Sequence, residues 1–319
     1  MIVTLTTLID KPVVDIFGGA SGLFAGKVPS IKHIIDSKNS DAYVCPHDLL
    51  DIWGEKPYLE HLRTLSREKP LFLFNRGDFP KHFCSPGIIS LQTSIESGMR
   101  CERHQTIIVP YNIKLSTPFR PRPYNRAPII SFMGYVPKMT IGRFARSLWP
   151  LPPNLIKRNG AIIRRCGLQQ ISKFEDSIVI SRPDYSGSHK AHYANPKLRK
   201  SYEDSIMKSD LVFSPRGDGN TSQRFYEALS VGRTPIIPDS EMVFPKVKNG
   251  GLENCLIMVS SLSRNIEDSI KQYWDQFSAI TYLEHQERLV DLYETQYLYS
   301  KFMLSLFESD IKDIRTFAF

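Results

Sequence analysis

Residues 210–240 constrain this chain more than any other stretch. The apolar run Leu211–Phe213 ends in a Gly-rich loop at 215–219, followed by a polar helix start at Asn220, Thr221 or Ser222. Helical spacing then runs to Val231, Gly232 stops the helix, and a second apolar run occupies 235–237. The order strand, loop, helix, strand aims a helix N-terminus at the carboxyl edge of a parallel sheet. That end presents backbone N–H groups and about half a positive charge to an anion. Carboxylates are favoured there and arginines are not, yet Arg224 sits in the first turn and Arg216 in the preceding loop. Two guanidinium groups imply an absent negative partner, and a diphosphate fits their fork geometry. Glu227, three residues after Arg224 on the same helical face, is placed to accept hydrogen bonds from ribose hydroxyls. The plainer alternative makes Arg224 and Glu227 a surface pair and the loop an ordinary turn.

The segment resembles the exostosin family of glycosyltransferases (family 47). The likeness is carried by Pro215-Arg216-Gly217-Asp218, by Ser222, Arg224, Phe225, Glu227, Ala228 and Gly232 at the family's spacing, and by Pro235-Ile236-Ile237. Residues 129–134 are similar to the strand-glycine opening of that family's nucleotide-binding half, and 202–209 to the helix before the signature. Residues 69–111 resemble its acceptor-side domain mainly in apolar pattern. The resemblance implies a GT-B fold, two Rossmann-like α/β domains facing a central cleft. It also implies inverting transfer from a nucleotide diphosphate sugar, most often a UDP-sugar, to a glycan or lipid-linked glycan. Family members of eukaryotes carry a membrane anchor. No window here approaches 18 apolar residues, so the chain resembles an unanchored bacterial or viral-type member.

A chain of 319 residues with 41% apolar content suits two domains with their own cores. Apolar runs at 2–5, 13–17, 42–45, 71–74, 88–91 and 106–109 alternate with helix-like stretches such as 58–68, which predicts a mostly parallel sheet. Residues 117–124, rich in proline and arginine, read as a linker. A second series follows, with strands at 129–133, 178–180, 211–213, 234–237 and 256–259 and helices at 139–148, 197–209, 222–231 and 266–279. Apolar and aromatic residues repeat at helical spacing through 284–308. The expected division is an acceptor-side domain 1–122, a nucleotide-sugar domain 123–283, and a C-terminal helix 284–319 crossing back to the first.

Residues 1–10 lack a basic leader and read as a first strand rather than a signal peptide. Five scattered cysteines predict free thiols in a reducing compartment, hence a cytoplasmic protein. The net charge of +8 is spread along the chain with no aromatic-basic RNA motif, which argues against nucleic acid. It leaves anionic nucleotides and, at a membrane surface, lipid headgroups as users of that charge.

Sugar transfer needs a diphosphate pocket, stabilisation of the leaving phosphate and, for inversion, a base. The expected donor site is Gly134, Arg216, Gly217, Asn220, Thr221, Ser222, Arg224 and Glu227. Arginines and backbone N–H groups would stabilise the leaving group, with no metal and no cofactor. Gly217-Asp218-Gly219 offers one carboxylate, too few for a metal. Asp78, after the strand at 71–74, is the expected catalytic base; Asp15, His47 and Asp48 are weaker choices, and Arg143 and Arg182 read as surface arginines. Three other patterns carry less. The Arg-Gly-Asp triplets at 76–78 and 216–218 follow strands and are explained by topology. His189 and His192 lack a third ligand, and the glycines at 18–22 lack the full dinucleotide spacing. Two alternatives remain: a non-catalytic nucleotide- or carbohydrate-binding protein, or a related transferase using a GDP- or ADP-sugar.

Overall fold

The computed structural model describes residues 2–6, 32–33, 40–75, 83–95, 105–136, 157, 159–182, 195–217, 219–247, 251–252, 254–309 and 313–316. The chain divides into two compact units. The first comprises Met1–Asn112, Met242–Gly251 and Thr295–Phe319; the second comprises Ile113–Glu241 and Leu252–Glu294.

The first unit holds a sheet built from β1 (Ile2–Leu5), β2 (Lys32–His33), β3 (Ala42–Asp48), β4 (Leu71–Asn75), β5 (Ile88–Gln92) and β6 (Gln105–Ile108). Their order is β2-β1-β3-β4-β5-β6 and every pairing is parallel. Strands buried on both faces read as continuous apolar runs, which is why Leu71–Phe74 and its neighbours were legible. Tyr43, Cys45, Leu71, Leu73 and Ile88 pack under α1 (Leu49–Ile52) and α2 (Lys56–Glu68). The opposite face, with Val44, Phe72, Phe74, Leu91 and Ile107, packs against Tyr299, Phe302, Met303, Leu306 and Phe307 from the chain end.

The second unit holds β7 (Ile130–Tyr135), β8 (Ile178–Arg182), β9 (Leu211–Phe213), β10 (Thr234–Pro238) and β11 (Ile257–Val259) in the order β11-β10-β9-β7-β8, again all parallel. Five helices belong with it among the described residues: α3 (Gly160–Ile171), α4 (Pro196–Met207), α5 (Gln223–Leu229), α6 (Ile266–Trp274) and α7 (Ala279–Leu292). Side chains of α3, α6 and α7 join Phe132, Phe213 and Ile236 in one core, while those of α4 and α5 join Met133 and Val212 in another. Helices therefore cover both sheet faces. Each unit is a doubly wound, Rossmann-like α/β layer structure, the expected class.

Several expectations change at element level. The stretch 117–124 is not a free linker: Thr117 and Ser116 donate to Glu203, and Arg122 pairs with Asp210 at 2.7 Å. The first cut accordingly falls after Asn112 and not after 122. One helix was expected over 266–279. Ser278 instead caps Thr281 with a reciprocal hydrogen-bond pair and starts α7 afresh. The periodic stretch 284–308 is likewise broken. It comprises the end of α7, a π-helical turn at Tyr293–Tyr297, and α8 (Tyr299–Glu308). The strand expected at 13–17 and the helix at 139–148 lie outside the described residues.

The thiol expectation fails at one position. Cys45, Cys166 and Cys255 are free, but Cys84 is disulfide-bonded. Spacing along a sequence says nothing of Cα proximity, which decides pairing. With Cys84 paired, the cysteines no longer all read as free thiols, so they do not argue for a reducing compartment. Among the described residues no helix is long and apolar enough to cross a membrane.

Candidate functional site

In a sheet of order 2-1-3-4-5, ligands bind beyond the carboxyl ends of the strands where the winding reverses. In the second unit that point lies between β7 and β9. The expected donor residues sit there because the loop after β9 and the first turn of α5 carry most of them, and Gly134 is near the end of β7.

The local geometry is a set of arginines folded over strand ends. Arg224, in the first turn of α5, donates from Nε and Nη2 to the Met133 carbonyl at 3.2 and 2.9 Å. Its guanidinium carbon lies 4.8 Å from the centre of the Phe132 ring, a cation–π contact. A Cβ at Gly134 would lie 2.1 Å from Arg224 Nη2. Gly134 was expected in the donor site; what its missing side chain makes room for here is this guanidinium.

Arg164 on α3 was not anticipated. It donates from Nη1 to the Tyr135 carbonyl at 2.9 Å and from Nε to the Arg216 carbonyl at 3.1 Å, tying the end of β7 to the loop after β9. Its residue type offered no clue, since no helix was read at 160–171. Gly160, the first residue of α3, sits so close that a Cβ would lie 2.4 Å from the Gly217 carbonyl oxygen. The start of α3 thus touches the loop, with Asn159 capping the Ile162 N–H at 3.2 Å.

Arg216 is 4% exposed and donates from Nη1 to the Lys157 carbonyl at 3.1 Å. Lys157 itself pairs with Asp239 at 2.8 Å and Glu241 at 3.3 Å, and the Asp239 hydrogen bond raises its pKa. Asn220 donates its amide to the Ser240 carbonyl at 2.9 Å and is 2% exposed, so the glycosylation sequon it begins is closed to modification in the fold. Thr221 and Ser222 are buried, and Ser222 Oγ has no hydrogen-bond partner among the described residues although Ser222 stands at the N-cap. Gly217 lies in the same loop.

Glu227 differs most from expectation. It is 2% exposed, with Oε1 accepting from Arg199 at 3.0 Å and Oε2 from the Tyr202 hydroxyl. Arg199 also pairs with Glu203 at 2.8 Å, so one guanidinium bridges two buried carboxylates. Burial works against ionising Glu203, but hydrogen bonds from Ser116 and Thr117, with the charge of Arg199, hold its carboxyl below the usual range. Burial first, then the Glu227 charge, pushes the Tyr202 phenol up. Neither the bare ribose contact nor the surface pair with Arg224 describes this arrangement.

In the first unit, Asp48 caps α1 by accepting from Leu50 N–H at 3.1 Å. His47 is fully buried, its ring 6.0 Å from that of Tyr58. Asp78, Asp15, Asp218, Arg143, His189, His192 and the glycines at 18–22 lie outside the described residues.

A family model, the RXYLT1 C-terminal domain, matches residues 186–263, which include α4, β9, the loop, α5 and β10. Among curated proteins no relative matches. Among solved structures the chain is similar to the lipopolysaccharide outer core galactosyltransferase WaaB, at 13% identity over 82% of this chain and 73% of that one, TM-score 0.38. It is also similar to a Listeria monocytogenes structure described as a UDP-N-acetylglucosamine 2-epimerase, at 12% identity over 86% and 74%, TM-score 0.32. A third is the S. aureus MnaA–UDP co-structure, at 12% over 84% and 73%, TM-score 0.32.

Proposed function

We propose that this protein is a glycosyltransferase that binds a nucleotide diphosphate sugar at the carboxyl edge of the β7/β9 pair. The observation that carries the reading is the convergence there of Arg164, Arg216 and Arg224 with the starts of α3 and α5. Among the described residues the Arg224 Nη1 carries no hydrogen bond, which leaves two donors for a phosphate oxygen. The matched family model, xylosyltransferase-related, spans the same loop and supports transfer over simple binding.

In the proposed reaction an acceptor hydroxyl attacks the anomeric carbon of the donor and the bond to the diphosphate breaks. A base takes the hydroxyl proton, and the configuration inverts. Charge on the departing diphosphate is met by arginines and backbone N–H groups already in place, so the reaction proceeds without a metal or cofactor. The donor is a UDP-sugar, the acceptor a glycan or lipid-linked glycan in polysaccharide or glycoconjugate synthesis, and Asp78 the base. Asp78→Asn should then lower kcat about a hundred- to ten-thousand-fold with nucleotide binding retained. Glu227 holds the binding helix through Arg199 and Tyr202, and ribose hydroxyls add to that network.

Thermal shift with UDP, GDP, CMP and ADP, each with magnesium and with EDTA, tests the reading on wild type and Arg224→Ala. A ligand at a hundred times its Kd adds about 2.7 kcal/mol, a shift easily seen. One uridine-specific shift that survives EDTA and vanishes in the variant is the expected result. No shift with any nucleotide would overturn the donor site, and a shift abolished by EDTA would overturn metal independence.

A further inference from the structure

The face of the first sheet under α2 changes character along its strands. Toward its amino end it presents Tyr43, Leu71, Leu73 and Ile88 to the α2 side chains Leu59 and Leu62. At the carboxyl end the same face turns polar. Thr6, just past β1, meets the Tyr58 hydroxyl on α2 at 2.8 Å, and His47 meets the Tyr58 ring. Asn75 ends β4, and its register partner Gln92 ends β5. Ser90, two residues before Gln92, lies on the same face, because Gln92 Nε2 donates to Ser90 Oγ at 2.9 Å. Thr6, His47, Tyr58, Asn75, Ser90 and Gln92 are all buried, Asn75 at 1% and Gln92 at 5% exposure.

Among the described residues Gln92 Oε1 has no hydrogen-bond partner. Turning the amide over would leave its nitrogen unmatched instead, so one polar atom stays unsatisfied in either orientation. A buried acceptor left so costs roughly 1–3 kcal/mol, which a leucine or methionine at the same place would avoid. This atom lies at the carboxyl rim of the sheet, on the same edge as the β1/β3 reversal where such sheets bind ligands, though on β5.

The lining specifies the ligand. Thr6, Asn75, Ser90 and Gln92 are uncharged, so these four side chains do not suit an anion. Amides and hydroxyls side by side suit a partner that both donates and accepts, as a sugar hydroxyl does. The second sheet's carboxyl edge, by contrast, is lined by arginines.

We propose that Gln92 and Asn75 form a hydroxyl-reading subsite for an uncharged glycan, with Gln92 Oε1 accepting a hydrogen bond from a sugar hydroxyl. The inference rests on the transferase reading for its ligand class and adds which residues recognise the acceptor, and that the acceptor sugar there is neutral.

Saturation-transfer NMR on the full chain tests it, with neutral methyl glycosides of glucose, galactose, xylose and N-acetylglucosamine and with glucuronic acid as the acidic control. The expected result is transfer to at least one neutral glycoside and not to glucuronic acid. Gln92→Met should weaken that glycoside about tenfold, as loss of one hydrogen bond would, and melt no lower than wild type. Arg224→Ala should leave the glycoside signal intact. If Gln92→Met does not fold, Gln92→Glu keeps an acceptor at the same reach and should retain binding. Unchanged glycoside binding in Gln92→Met, or no transfer to any neutral glycoside, overturns the subsite; a bound water at Oε1 alone would give the first outcome. A uridine nucleotide shift in wild type without glycoside binding sinks this inference and spares the donor site, whereas glycoside binding without any nucleotide shift does the reverse.

Discussion

Arg224 reaches back from the first turn of α5 to the Met133 carbonyl, and the reach depends on the bare backbone at Gly134. Gly134→Ala would put a methyl 2.1 Å from Nη2, so the guanidinium must leave the strand end. The expected outcome is loss of nucleotide binding to the same degree as Arg224→Ala, read by thermal shift. Binding kept by Gly134→Ala but lost by Arg224→Ala would mean that the arginine acts from another position. At this scale the sequence singled out both residues, since an arginine at a positive helix end and a glycine after an apolar strand each call for a cause. The cause joins residues 91 positions apart, and sequence spacing does not encode that approach. Arg164 escaped notice for the same reason.

Among the elements, α4 and α5 are joined by the Arg199 guanidinium and the Tyr202 hydroxyl, both bonded to Glu227. Arg199 bridges Glu203 and Glu227, whose side chains are 6% and 2% exposed. Arg199→Met leaves both carboxylates buried without their cation and should destabilise the fold by about 3–5 kcal/mol. Chemical denaturation measures this, and a cost near zero would show that the carboxylates take up protons or reach water. Farther along, α7 carries His285, whose Nε2 lies 2.8 Å from the Tyr273 hydroxyl and 3.0 Å from Thr234 Oγ1. Burial, with the Arg288 charge second, pushes the imidazole from 6.5 down to about 4. Between those values the unfolded chain binds the proton and the fold refuses it. Stability is therefore full above pH 6.5 and falls as pH drops toward 4, by roughly 3 kcal/mol in all. Urea titrations of His285→Gln should lack that decline; an equal decline in both proteins would assign it to other groups. The strands were legible as apolar runs. The break at 275–278 was not, because the capping box of Ser278 competes with helix continuation only once α6 and α7 pack around Trp274 and Tyr282.

For the whole molecule, the chain passes from one unit to the other more than once, and its last helix completes the first unit's core. Phe302 and Phe307 are buried at 2% and 1%, and the Phe307 ring lies 5.0 Å from that of Phe72. Phe307→Ala removes that packing and should cost about 3–5 kcal/mol, measured by denaturation; a cost under ~1 kcal/mol would show that α8 is dispensable to this core. Cys84 adds a second handle. Loss of a native disulfide typically costs about 2–5 kcal/mol, so a reductant should lower the melting temperature, and an unchanged melt would mean that the bond carries no stability.

Sequence by itself determined the class of fold. Buried parallel strands must be apolar along their length, and glycine, arginine and a helix start at fixed short spacing are local requirements that local residues satisfy. Tertiary structure decided what those residues touch. It turned Glu227 into the buried partner of Arg199 and Tyr202, made residues 117–124 part of the second unit, paired Cys84, and set Gln92 beside Asn75 at a sheet rim. Each of these depends on contacts between distant positions, whose cost and gain exist only after the chain has closed on itself.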